Sequence, residues 1–77
     1  MAKVVDLLEK NMLVVKQFIK IGRMPLSIMT DYDIYLFYKS IEHESAPMKK
    51  YNIVATRFKV SVSTVRNAIR ELEKNVN

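Results

Sequence analysis

The chain has no cysteine, one glycine, two prolines and one histidine among its 77 residues. Without cysteine, neither a disulfide nor a thiolate metal site can support the fold, which fits a reducing, cytoplasmic setting. A single glycine in a chain that is 49% hydrophobic argues for a folded helical protein over a disordered one. No segment approaches the ~18–20 apolar residues of a membrane span. The opening MAKVVDLLEK interrupts its apolar positions with Asp6 and Glu9, which a secretory signal does not do. Repeats, low-complexity stretches and separate linkers are also missing. The length suits one domain, with a core that is modest for its surface.

Groupings that carry catalysis are equally scarce. His43 stands between Glu42 and Glu44, but adjacent residues on a helix do not share a face, so the trio reads as a solvated cluster rather than a metal site. Asp31 and Asp33 have no nucleophile, glycine-rich loop or metal partner beside them, and acidity at a helix start explains them better than paired acid–base work. Tyr32, Tyr35, Tyr38 and Tyr51 fit helical packing with wet hydroxyls. The expectation is therefore a non-enzyme with no cofactor, no metal and no small-molecule ligand.

What the chain does have is an uneven charge. Residues 1–45 balance Lys3, Lys10, Lys16, Lys20, Arg23 and Lys39 against Asp6, Glu9, Asp31, Asp33, Glu42 and Glu44. Residues 46–77 set Lys49, Lys50, Arg57, Lys59, Arg66, Arg70 and Lys74 against only Glu71 and Glu73, so they hold the whole net charge of +5. A positive surface confined to one part of a chain suits a polyanion, whose phosphates supply much of the binding energy. Lysines placed for solubility give the same composition, so charge alone does not decide.

Apolar periodicity divides the chain into four helices. The first is expected over about residues 3–21, with Val5, Leu8, Met12, Val15 and Ile19 spaced like a two-helix seam. Val4, Leu7, Val14 and Phe18 form a second stripe, so this helix needs covering on more than one side. Pairing with a second copy through Val5, Leu8, Met12, Val15 and Ile19 is one answer; a central helix in a four-helix monomer is the other. Gly22 suits the position just past the helix end. Residues 23–29, with Pro25, Leu26, Ile28 and Met29, form a packed connector.

Thr30, followed by Asp31 and Asp33, marks the start of a second helix reaching about residue 44. Its buried stripe is Ile34, Phe37, Tyr38 and Ile41, flanked by Tyr35 and Leu36. Pro47 fits the first turn of a third helix, which ends near Phe58 and buries Met48, Tyr51, Val54, Ala55 and Phe58. Ser61 can cap a fourth helix over about residues 62–74. There Val65 and Ile69 form an apolar stripe, and Arg66, Asn67 and Arg70 occupy the other side.

The run Ala55, Val60, Ser61, Thr64, Val65 resembles the helix-turn-helix of bacterial and phage transcription regulators. Their pattern reads roughly Ala, three residues, Gly, Val, Ser, two residues, Thr, Val. Lys59 stands where the family usually places glycine for a left-handed backbone, a substitution that costs about 1 kcal/mol. The resemblance covers roughly the last third of the chain. It implies a second helix laid in the major groove, with Val62, Ser63, Arg66, Asn67 and Arg70 facing bases. Lys49, Lys50, Arg57, Lys59, Ser61 and Thr64 would then meet backbone phosphate.

The overall plan is also similar to phage middle-gene activators of the Mor type. The run from Thr64 to Leu72 resembles gluconate-repressor-type winged helices as well, but residues 75–77 leave no room for a wing.

The combined expectation is an all-α, four-helix chain. Residues 1–45 form a helical, dimerising half, and residues 46–77 form a DNA-reading half without a wing, the two making one compact domain. Its function would be sequence-specific binding of double-stranded DNA by a cytoplasmic homodimeric regulator, with no membrane partner. Two alternatives stand beside it: an adaptor that binds the transcription machinery, and a DNA-targeting accessory of a recombinase or transposase.

Overall fold

The computed structural model describes residues 2–41 and 46–76, and these fold into five helices with no strand among them. The helices are α1 (Val4–Lys10), α2 (Met12–Lys20), α3 (Ser27–Ser40), α4 (Pro47–Phe58) and α5 (Val62–Leu72). None is long and apolar enough to cross a membrane.

The single amino-terminal helix expected from periodicity is broken at Asn11. Its backbone leaves helical geometry at φ −117°, ψ 27°, and its side-chain amide donates to the Leu7 carbonyl at 2.9 Å. That bond competes with the helical ladder, which is why asparagine favours helix ends over interiors. Asp6 closes the other end of α1 by accepting from the Lys3 N–H. Past α2, the Arg23 N–H reaches the Phe18 carbonyl at 2.8 Å and the Gly22 N–H reaches that of Ile19 at 3.0 Å. Gly22 holds φ 78° there, a left-handed residue closing a helix end as its identity suggested.

The third helix starts at Ser27, earlier than Thr30 suggested. Pro25 and Leu26 make a turn whose carbonyls accept from Ile28 and Met29, so the backbone nucleates the helix without a side-chain cap. Thr30 consequently sits inside the first turns. The helix ends at Ser40; its expected continuation to residue 44, and with it Glu42, His43 and Glu44, lies outside the described residues. Its apolar side chains surround it, because α3 packs on both α4 and α5.

Ile34, Val54 and Val65, one from each of these helices, are fully shielded from solvent. Tyr35 is buried with Ile34, whereas Phe37, Tyr38 and Ile41 are half-buried. Phe37 meets Phe58 edge-on at 6.0 Å between centroids. Met48, expected inside, is exposed.

The amino-terminal segment is fixed to this three-helix body at two places. Tyr32 Oη donates to Glu9 Oε2 at 3.0 Å. The backbone of residues 2–4 pairs antiparallel with residues 74–76, through Val4 N–H to Lys74 O at 2.9 Å and Val76 N–H to Ala2 O at 2.8 Å. With α1 so held, Val5, Leu8 and Val15 enter the chain's own core, and Met12 and Ile19 pack partly against it. The seam assigned to a second copy is thus corrected: its side chains are used within one chain. Within α1, α2 and the residue that follows, the large apolar side chains left in water are Leu7, Val14 and Phe18 of the other stripe, together with Leu13 and Ile21; Leu26, Leu36, Met48 and Ile53 are exposed elsewhere.

Candidate functional site

Helices α4 and α5 are joined by residues 59–61, and each of these residues has a local physical role. Lys59 takes the left-handed backbone, φ 57°, ψ 45°, that closes α4. The Val60 N–H then reaches back to the Ala55 carbonyl at 3.0 Å. This is the helix-ending geometry that glycine adopts at Gly22, here imposed on a side-chain-bearing residue. Ser61 starts α5: its hydroxyl accepts from the Thr64 N–H at 3.1 Å and lies 2.9 Å from the Thr64 hydroxyl. Ala55, small and buried, sits where α4 meets α5.

Val65, Ala68, Ile69 and Leu72 form the buried stripe of α5. At roughly 100° per residue, Ser63, Asn67 and Arg70 project from the opposite side, and all three are exposed. Val62 is half-buried at the helix start, and Arg66 lies on the flank. Arg66 and Arg70 line a shallow depression of about 530 Å³ together with Tyr51, Glu73 and Lys74. The Tyr51 hydroxyl is pushed upward from its ordinary pKa, first by burial and then by Tyr38, while Arg66 pulls it back down.

The acids at the end of α5, Glu71 within it and Glu73 just past it, are already engaged. Glu71 accepts from Lys74 at 3.1 Å, and Glu73 lies 3.7 Å from Lys39 of α3. No side-chain hydrogen bond or ion pair among the described residues engages Ser63, Asn67 or Arg70. The outer face of α5 therefore presents donors and positive charge without internal partners.

The residues expected to meet phosphate divide into three groups. Lys49, Arg57 and Lys59 are exposed on α4 and at its end, with the Arg57 guanidinium 5.8 Å from the Phe37 ring. Ser61 and Thr64 are exposed but bonded to each other. Lys50 is the exception and corrects the expectation: it is only 8% exposed, with its Nζ 4.0 Å from the Tyr38 ring centroid. Tyr38 stacks in turn on Tyr51 at 5.5 Å. The aromatic pair holds the ammonium and its stem against the body, a structural use of the charge. Sequence could not show this, because the stack joins α3 and α4 across space.

Other chemistry is thin. No cluster of three or more potential metal ligands occurs among the described residues. Asp31 faces Glu71 across a small depression; burial and then that neighbouring charge raise its carboxyl above the ordinary range. No family model, curated protein or solved structure matches this chain.

Proposed function

We propose that this chain binds double-stranded DNA, with α4 and α5 acting as a helix-turn-helix and α5 lying in the major groove. The observation that carries this reading is the outer face of α5. The side chains of Ser63, Asn67 and Arg70 stand opposite the buried stripe without internal partners, and Glu71 in the helix and Glu73 just past it lie against lysines. Asparagine matches the paired donor and acceptor of an adenine edge, and arginine matches the two acceptors of guanine. Arg66, on the flank, is suited to a base edge or the adjoining phosphate. Lys49, Arg57 and Lys59 supply backbone contacts that position the helix without reading sequence. Lys50 is removed from that set by its place on Tyr38. The concentration of net positive charge in residues 46–77 supports the same polyanionic ligand.

The test is fluorescence anisotropy of a labelled duplex titrated with the full chain at several salt concentrations. The logarithm of affinity should fall linearly with the logarithm of salt, with a slope of about −3 to −5 for a handful of neutralised phosphates. An adaptor that recognises only protein would show no duplex binding and hence no slope.

A further inference from the structure

We infer that Tyr51 and Arg66 form a clamp for a single phosphate of the duplex backbone, on one flank of α5 beside the base-reading face. The assignment to the backbone rests on the DNA reading above; the phosphate site itself stands on the geometry of the flank. At roughly 100° per residue, Arg66 is turned about 60° from Ser63 around the helix. The shallow depression of about 530 Å³ lies on that side, between Tyr51 of α4 and Arg66, Ile69 and Arg70 of α5.

The width of the groove decides what meets this wall. A major groove about 12 Å wide admits a helix about 10–12 Å across with its side chains, so an inserted α5 has a flank against each phosphate strand. The two flanks differ. On one, Thr64 is bonded to Ser61 and Glu71 faces Asp31 across a second depression, an acidic surface that repels phosphate. On the other, no side-chain hydrogen bond or ion pair among the described residues engages the Arg66 guanidinium. Glu73, the carboxylate on that wall, lies 3.7 Å from Lys39.

Tyr51 supplies the second donor. Its ring is stacked on Tyr38 at 5.5 Å between centroids and 17° between planes, and Tyr38 is held in turn by Lys50 Nζ at 4.0 Å. Burial raises the Tyr51 pKa and the Arg66 charge draws it back down, so the phenol lies within the field of the guanidinium. The two non-bridging oxygens of a backbone phosphate match a guanidinium fork on one side and a hydroxyl on the other. A hydroxyl already fixed by stacking donates at little entropic cost. Arg70 borders both the clamp and the outer face, and its head remains free for a base edge.

Two titrations of the full chain test the clamp, the first without DNA. Sodium phosphate is added to about 50 mM at constant ionic strength while arginine side-chain N–H and tyrosine ring resonances are followed by NMR. Arg66 and Tyr51 should shift along one saturating curve, whereas Arg23, an exposed arginine of the connector, should not. In the second, labelled duplexes of different sequence are titrated by anisotropy. Arg66→Gln should weaken all of them about tenfold and reduce the salt slope by about 1. Tyr51→Phe keeps the ring on Tyr38 and should weaken binding about threefold with the slope unchanged. The double variant should be only about tenfold weaker, because without Arg66 no phosphate is held beside Tyr51. Circular dichroism checks that each variant keeps the helix content of the parent.

Losses that multiply to about thirtyfold in the double variant would mean separate contacts and overturn the clamp. So does phosphate that shifts Arg23 and Arg66 alike, or shifts neither; duplex binding that persists in those cases leaves the DNA reading standing. A chain whose Arg66 and Tyr51 saturate with phosphate but which binds no duplex overturns the DNA reading and the backbone assignment together, and makes a free phosphate ester the occupant.

Discussion

Lys59 and Ser61 hold the connection between α4 and α5 by opposite means, one under strain and one by a favourable bond. A lysine at φ 57° carries a left-handed penalty that glycine does not, so Lys59→Gly is expected to raise stability by up to about 1 kcal/mol in urea unfolding. Ser61→Ala removes the side-chain acceptor of the Thr64 N–H at the start of α5 and should lower stability by about 1 kcal/mol. Lys50 behaves as a structural residue. Lys50→Ala takes the ammonium off Tyr38 and should cost about 1–2 kcal/mol of stability, while affinity for duplex DNA, measured below the unfolding transition, stays near parent.

Asp31 supplies a pH dependence. Its folded carboxyl titrates above the unfolded one because of burial and then Glu71. Ionisation therefore disfavours the folded state: the contribution is fully present below the unfolded carboxylate pKa and is lost as pH rises through the folded one. Asp31→Asn should be more stable than the parent at pH 7 and converge with it near pH 3, in thermal melts across that interval. At this scale the sequence was informative wherever a residue acts on its own backbone. The Ser61 cap and the left-handed position at Lys59 were both legible, because each depends on neighbours a few residues away. Lys50 was not, since its environment is built by aromatic rings from two helices.

Among the elements, α3 is the spine, packed on both α4 and α5 with Ile34 fully shielded at its centre. Ile34→Ala leaves a cavity that no exposed side chain can fill, and should cost about 2–5 kcal/mol in urea unfolding. Helices α4 and α5 were the most legible elements. Pro47 fixes the first turn of α4, and the observed Pro47–Phe58 span agrees with the reading from sequence. The start of α3 was misplaced because Thr30 and its following acids look like a cap, while the turn at Pro25 and Leu26 had already nucleated the helix. The break at Asn11 was hidden for a different reason. Apolar spacing continues through it, and only the competition between an amide side chain and the helical ladder interrupts the element. Periodicity likewise found two apolar stripes on α1 and α2 without telling which faces inward. That choice is made by α5, against which α1 packs, and by the backbone pairing of residues 2–4 with 74–76.

The whole molecule combines a three-helix body bearing a positive outer face with a bent amino-terminal pair bearing an uncovered apolar one. Its extents of 37 × 29 × 18 Å make one chain comparable in length to a single turn of duplex DNA, roughly 34 Å. On the proposed reading, specific recognition would need the side chains of α5, whereas general affinity would need only the basic charge around them. The two contributions separate under selection of bound sequences from a random duplex library at near-physiological salt. The parent chain is expected to enrich a short motif containing G·C and A·T pairs readable by arginine and asparagine. A variant carrying Asn67→Ala and Arg70→Ala should still bind duplex, but lose the enrichment. A recovered pool indistinguishable from the starting library, or the same motif from parent and variant, would contradict base reading by α5.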